Sequence, residues 1–358
     1  MFFCSSLLWY NENIKNIDVL IRIEVQMKKI KEKINYLPEF PIIFDLFFKN
    51  KKFAVLDIET TGLSPNFSSI ILVGLIVFDG KNTYLHQLFA ETPQEEKEII
   101  IETDNLIREV DYIITYNGRM FDIPFLNKRS EKYNLKFTQI FNFDLFIIMK
   151  YYSDLPKLIK SMSQKSLEVF AGLSDAREDK ISGGESVELY SQYQATHSPN
   201  ILSQILLHNS DDIRQLFQLV KLVKHSDFAK AICHQGMPHV GGYIGKIDYK
   251  KSTLFIKGYA FPAIDYISFP SPESPYSLSM TKLTSEYIIE IPCESIVGSA
   301  YFDLTNLVEE KHLSSFNLPG FNNDYLIIKE NNKFNYTEIA LFAQIFASKL
   351  INEVIHNL

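Results

Sequence analysis

The sequence predicts a mixed α/β fold, a five-stranded sheet with flanking helices, followed by a smaller C-terminal α+β region rich in strands. Three observations carry this. Phe53 to Ile58 (FAVLDI) is an almost unbroken apolar run, the pattern of a strand buried on both faces. Two more strand-like runs follow at Ile70 to Phe78, closed by the turn Asp79-Gly80, and at Thr83 to Ala90, spaced for an antiparallel meander. Helical and strand-like periods then alternate, which makes the sheet mixed.

In order, Glu95 to Val110 places Ile99, Leu106 and Val110 at helical intervals, and Asp111 to Tyr116 returns to strand. A helix from about Ile123 to Tyr133, a short strand near Phe141 to Leu145 and an amphipathic helix from about Asn200 to Val223 complete the first unit. From about His225 the texture changes: Gly236, Pro238, Gly241, Gly242 and Gly245 precede strand-like runs at Lys246 to Tyr249 and Thr253 to Tyr259. Further strands are expected over Glu286 to Ile291 and around the turn Glu330 to Lys333, with a closing helix from Thr337. The expected organisation is an N-terminal appendage over 1–52, an α/β domain over 53–224 and a C-terminal domain over 225–358. Met27, which opens the basic stretch MKKIKEK, is an alternative start.

The chain has 358 residues, enough for two domains, and its 46% hydrophobic and 22% charged content excludes disordered, collagen-like and coiled-coil classes. Its 36 basic residues against 43 acidic ones give a net charge of −7 and no global positive field, so any contact with a polyanion must be local. Cys4, Cys233 and Cys293 are too far apart for a CxxC pair and suggest neither a disulfide framework nor structural zinc. The opening MFFCSSLLWY lacks the basic start of a signal peptide, and no apolar run reads as a membrane span; the expectation is a cytoplasmic protein with no membrane partner.

Asp57 and Glu59 lie two apart on the first buried strand, so both carboxylates leave the same face. Two acids there repel and resist desolvation unless they end in solvent or share a divalent cation with oxygen ligands. His208 and Asp212 lie four apart and share one face of the long helix.

The string DIETTGL, Asp57 to Leu63, resembles the first motif of the DEDD superfamily of 3'-5' exonucleases, the proofreading branch of the ribonuclease H-like fold. TYNGRMFDIPFL, Thr115 to Leu126, resembles the second motif, with Asp122 opening a helix, and LLHNSDDI, Leu206 to Ile213, resembles the third. The stretch Ser166 to Tyr193 is similar to the corresponding part of YprB-type ribonuclease H-like proteins. The resemblance covers about Phe53 to Val223, roughly half the chain.

It implies that Asp57, Glu59, Asp122 and Asp212 hold two Mg²⁺ or Mn²⁺ ions, with Asp57 bridging them, and that His208 orients or deprotonates the attacking water. One departure stands out. Histidine-type relatives place the His five residues before the last Asp, whereas here a His occupies the tyrosine-type position, four before. The resemblance further implies that Thr60, Gly62 and Leu63 pack against the terminal nucleotide and that Asn117 and Phe121 touch its sugar or base; an ordinary turn and core packing are the competing readings. Asp144 reads as a strand end or a supporting acid, and Asp211, about 100° round the helix from Asp212, as solvent-facing, with metal ligation as its alternative. Arg119, Lys128, Arg129, Lys132, Lys157, Lys160 and Lys165 are candidate phosphate contacts or a solvated face. The expected activity is hydrolysis of single-stranded DNA or RNA ends to nucleoside 5'-monophosphates. An endonuclease of the same fold and a silent nucleic-acid-binding scaffold are the alternatives.

Overall fold

The structure is a computed structural model and describes residues 27–38, 40–173, 181, 183–305, 307–308, 321–322 and 324–357. Its main sheet comprises β1 (Lys28–Ile34), β2 (Phe53–Thr60), β3 (Ile70–Phe78), β4 (Thr83–Phe89), β5 (Tyr112–Thr115) and β6 (Phe141–Asp144) in the order β1-β4-β3-β2-β5-β6. The first four strands in space pair antiparallel, and β2, β5 and β6 run parallel. The sheet is thus mixed as expected, but it has six strands rather than five. The extra one is β1, drawn from the stretch expected as an appendage, with Lys28 opposite Phe89 and Ile34 opposite Thr83. Only Ile34 of KKIKEKI is buried. An edge strand has one neighbour and can be mostly charged, and its lysines discourage pairing with another chain.

Helices cover both faces. They are α1 (Ile42–Phe48), α2 (Glu96–Arg108), α3 (Asp122–Lys132), α4 (Leu145–Tyr152), α5 (Leu155–Leu158), α6 (Gln164–Phe170), α7 (Gly183–Thr196) and α8 (Pro199–Leu219), the last continuing as a 3₁₀ turn over Val220–His225. The period of two along β2 divides the core. Ala54, Leu56 and Ile58 pack with Ile99 and Ile107 of α2 and Phe125 and Leu126 of α3. Phe53 and Val55 pack on the other face with Ile213, Leu216 and Phe217 of α8. Asp57 and Glu59 continue that second row, which aims them at α8.

The remainder holds α9 (Phe228–Gln235), β7 (Met237–His239), β8 (Gly242–Lys250), β9 (Thr253–Ala260), β10 (Tyr266–Ser268), β11 (Ser277–Met280), β12 (Glu286–Pro292), β13 (Glu294–Ile296), β14 (Ser299–Asp303), β15 (Phe321–Asn322), β16 (Tyr325–Glu330), β17 (Lys333–Phe334) and α10 (Tyr336–His356). Its strands form two antiparallel sheets, β10-β11-β12-β9-β8-β7 and β13-β14-β16-β15 with β17 on β16. α10 is 21 residues long and apolar enough by length and composition to cross a membrane, a feature the sequence reading did not anticipate; 56% of its apolar window is buried within the protein.

The expected division near residue 225 marks where the second sheet's residues begin, yet the core does not break there. One hydrophobic cluster runs from Phe143, Ile148 and Phe217 to Phe228, Ile256 and Phe342. α1 sits in the middle, with the Phe44 ring 5.4 Å from Phe143 and 5.9 Å from Phe228, and Phe48 6.4 Å from Phe228.

Candidate metal centre

Glu59, His208 and Asp212 converge at the end of β2 where it meets α8: one ligand atom from each lies within 4.8 Å of the others. His208 Nε2 stands 3.6 Å from Glu59 Oε1 and 3.6 Å from Asp212 Oδ2. His208 is only 2% exposed, and Glu59 is also buried. The hydroxyl of Ser186, on α7, donates to Glu59 Oε2 at 3.0 Å, which orients the carboxylate.

Asp122 arrives from the first turn of α3, buried, and its Oδ1 accepts the N–H of Ile58 at 3.2 Å, locking the helix start to β2 between the two strand acids. Asp57 receives a hydrogen bond on Oδ2 from Asn209 Nδ2 at 3.2 Å. Burial, then the negative charges of Asp122, Glu59 and Asp212, push the Asp57 carboxyl well above the usual range, against the pull of Asn209. Burial pushes Asp122 up to about 7, its bonds to backbone N–H groups opposing and Asp144 and Glu59 adding to the rise. The elevated values mark an excess of negative charge in a poorly solvated place, and a divalent cation with oxygen ligands relieves that excess.

The sequence reading missed Asn209, Gln87 and Gly74. Asn209 is fully buried; Gln87 Nε2 donates to its Oδ1 at 3.1 Å and to Leu206 O at 2.7 Å, so the amide must present its NH₂ to Asp57. Gly74 pairs with Asp57 across β2 and β3, and a Cβ there would lie 2.2 Å from Asn209 Oδ1. The signal was present in IILVGLIVF, since a glycine inside a buried strand marks a close approach.

Thr60, Gly62 and Leu63 follow β2 at the same end of the sheet. Thr60 Oγ1 donates to Gly62 O at 2.8 Å, which tightens the turn and leaves Leu63 86% exposed. Asn117 adopts φ 63° and donates its N–H to Asp144 Oδ1 at 2.9 Å. Phe121 packs toward Phe125 in the α2 and α3 core, rings 5.5 Å apart.

Other expectations are corrected. Asp211 is buried, not solvent-facing, because α7 and α6 cover flanks of α8 that the sheet leaves open. Arg119 and Arg129 are committed within the protein. The Arg119 guanidinium donates to Asn142 O at 2.8 Å, Gln235 O at 2.8 Å and Gln235 Oε1 at 2.9 Å. Arg129 forms a buried pair with Glu96 at 2.5 Å. Lys128 and Lys157 instead fit the solvated-face reading, pairing with Glu131 and Asp154 on the surface. Asp144 ends β6 but also supports the second motif: it accepts from Asn117 and Arg119 and caps α4 through the N–H of Phe146.

Residues 54–224 match the RNase_H_2 family model, described as RNase_H superfamily. A DNA polymerase III of PolC type from Ureaplasma parvum serovar 3 is 26% identical over a match covering 34% of this chain and 10% of the relative, so the chain spans about a tenth of that protein's length. Among solved structures, a family B DNA polymerase from Pyrobaculum calidifontis is 14% identical at a TM-score of 0.39, covering 62% of this chain and 33% of its own. Exonuclease I of E. coli with a dT13 oligonucleotide is 14% identical at 0.33, covering 57% and 54%. At those scores neither structure adds to what the family model and the geometry establish.

Proposed function

We propose, from the match of residues 54–224 to the RNase H superfamily model, that the protein is a divalent-metal-dependent 3'-5' exonuclease that shortens single-stranded nucleic acid and releases nucleoside 5'-monophosphates. The observation that carries the reading is the meeting of four carboxylates from three elements, β2, α3 and α8, with the Asp57 and Asp122 carboxyls held far above their usual range. Asp57, Glu59, Asp122 and Asp212 would hold two ions, Mg²⁺ or Mn²⁺. Bound there, such cations supply a lowered pKa for the attacking water and charge neutralisation at the phosphate.

The chain's own residues do the positioning. Ser186 and Asn209 orient Glu59 and Asp57, and the Ile58 N–H holds Asp122 between them. Leu63, exposed on the turn after the first motif, would press against a terminal base, with Thr60 and Gly62 shaping that turn. Asn117 and Asp122 lie on the loop and helix start that Asp144 braces. Phe121 is partly buried against the α2 and α3 core, where packing supports the core reading. The YprB-type affiliation belongs to the same proposal; it rests on Ser166 to Tyr193, of which residues 174–180 and 182 lie outside the described residues.

The test is a time course on 5'-labelled single-stranded DNA and RNA with Mg²⁺ or Mn²⁺, wild type beside Asp57→Ala. A ladder that shortens one nucleotide at a time, absent in the variant, is expected. Discrete internal cuts would make the protein an endonuclease, and no cleavage of either polymer would remove the nuclease reading.

A further inference from the structure

We propose that His208 is itself a metal ligand, joining Glu59 and Asp212 around one divalent cation, and that its imidazole gives this site a preference for Mn²⁺, Co²⁺ or Zn²⁺ over Mg²⁺. The inference rests on reading the acid cluster as a cation site, and it replaces the water-orienting role that the resemblance implies for this residue.

The distances support ligation. Nε2 is 3.6 Å from one oxygen of each carboxylate, beyond hydrogen-bond length to either. Atoms each about 2.0–2.2 Å from a shared ion stand about 3.4 Å apart in a tetrahedral arrangement and up to about 4.2 Å apart at the widest. The mutual limit of 4.8 Å among the three ligand atoms is therefore within a sub-ångström adjustment of one ion's grasp. The geometry is also built. Ser186 engages Glu59 Oε2, while Oε1 is the oxygen facing the imidazole. The helical spacing of four sets His208 and Asp212 side by side, and α8 packs on β2 and β3, where Glu59 resides.

The His208 ring is 2% exposed, so the packing around it fixes its position. A ligand gains from the same enclosure, which fixes the ring and excludes competing water. Chemistry sets the selectivity: Mg²⁺ favours oxygen donors and retains its waters, whereas imidazole suits the later divalent metals.

The experiment is pulsed electron paramagnetic resonance on the full chain loaded with substoichiometric Mn²⁺, using protein with natural-abundance histidine and protein carrying ¹⁵N-histidine. A directly coordinated nitrogen whose coupling changes with the isotope is expected. His208→Gln should remove that coupling and weaken Mn²⁺ binding by at least about tenfold, since even outer partners of a ligand cost that much, with a far smaller change for Mg²⁺. An oxygen-only shell around bound Mn²⁺, or no Mn²⁺ binding, overturns the proposal. The isotope comparison needs only wild-type protein, so misfolding of the variant would not blunt it. An oxygen-only shell in a protein that still degrades single strands would sink the ligand assignment alone. Nitrogen ligation without any cleavage would sink the exonuclease reading alone.

Discussion

Glu96 and Arg129 are as deeply buried as Glu59 and Asp122, and they belong to the same α/β domain, yet the two clusters are opposite in design. Glu96 takes both Nε and Nη2 of Arg129, at 2.7 and 2.5 Å, together with the Tyr133 hydroxyl at 2.7 Å and the Ile70 N–H at 2.8 Å. Arg129 also donates to Pro65 O and Ser69 Oγ. Charge balances, and four of the five guanidinium N–H donors are used. At the other cluster, Asp57, Glu59, Asp122 and Asp212 crowd like charges, and hydrogen bonds from Asn209, Ser186 and the Ile58 N–H offset only part of the repulsion. A buried charge that the fold neutralises holds structure together, whereas like charges left in excess make a place where a cation would be favoured.

Substitution should separate the two. The largest effect is expected from Asp57→Asn, which removes a carboxylate from the proposed cation site: cleavage of a labelled single strand should fall by about 10⁴-fold, while urea unfolding without added cation shows no loss of stability, because a repelling charge has gone. Appreciable residual cleavage would erase the contrast. Arg129→Met should do the reverse. It strands Glu96 in the core at a cost of about 3–5 kcal/mol, read as a lower urea midpoint, with Mn²⁺ affinity of the folded fraction unchanged. A stability near wild type would mean that the pair is not the brace its geometry indicates.

The smallest expected effect is a pH dependence with an unusual sign. Asp122 titrates at about 7 in the folded protein against an ordinary value of 3.8, so the folded state binds this proton more tightly than the unfolded chain. Its contribution is complete below the ordinary value and is lost as pH rises through about 7; Asp57 acts in the same direction. Cation-free protein should therefore melt at a higher temperature at pH 5 than at pH 8, and Asp122→Asn should flatten that slope. Saturating Mn²⁺ should flatten it as well, since a cation that binds the ionised carboxylates favours the charged folded form. A melting temperature that rises with pH would show that the cluster is not destabilised by its own charge.

Much of this was legible in the sequence, and the exceptions have physical causes. FAVLDI declares β2 because a central strand is apolar on both faces, and a period of two then places Asp57 and Glu59 together without further information. The spacing of His208 and Asp212 is equally local. β1 was not legible, since KKIKEKI needs only Ile34 in the core and otherwise reads as solvated charge. Asp211 was assigned to solvent by a helical wheel that assumes one covered side, whereas α8 is covered on several. Arg119 resembles a phosphate contact until the chain brings Gln235 to it from 116 residues away. Asn209 lies beside the recognised His208, but its role depends on Gly74 and Gln87 from two other strands. Local pattern reveals which atoms a residue carries, and only the assembled fold reveals which of them are already taken.

The continuous hydrophobic cluster through α1 has a consequence for how the protein comes apart. Phe44 and Phe48 each touch rings from both sides of residue 225, and Phe47 adds a contact to Phe228, so melting either half strips apolar cover from the other. Such sharing makes unfolding concerted: calorimetry of the intact chain should record a single transition whose van't Hoff and calorimetric enthalpies agree, rather than two independent melts. The acid cluster then draws its rigidity from the whole assembly, including strands that lie nowhere near it.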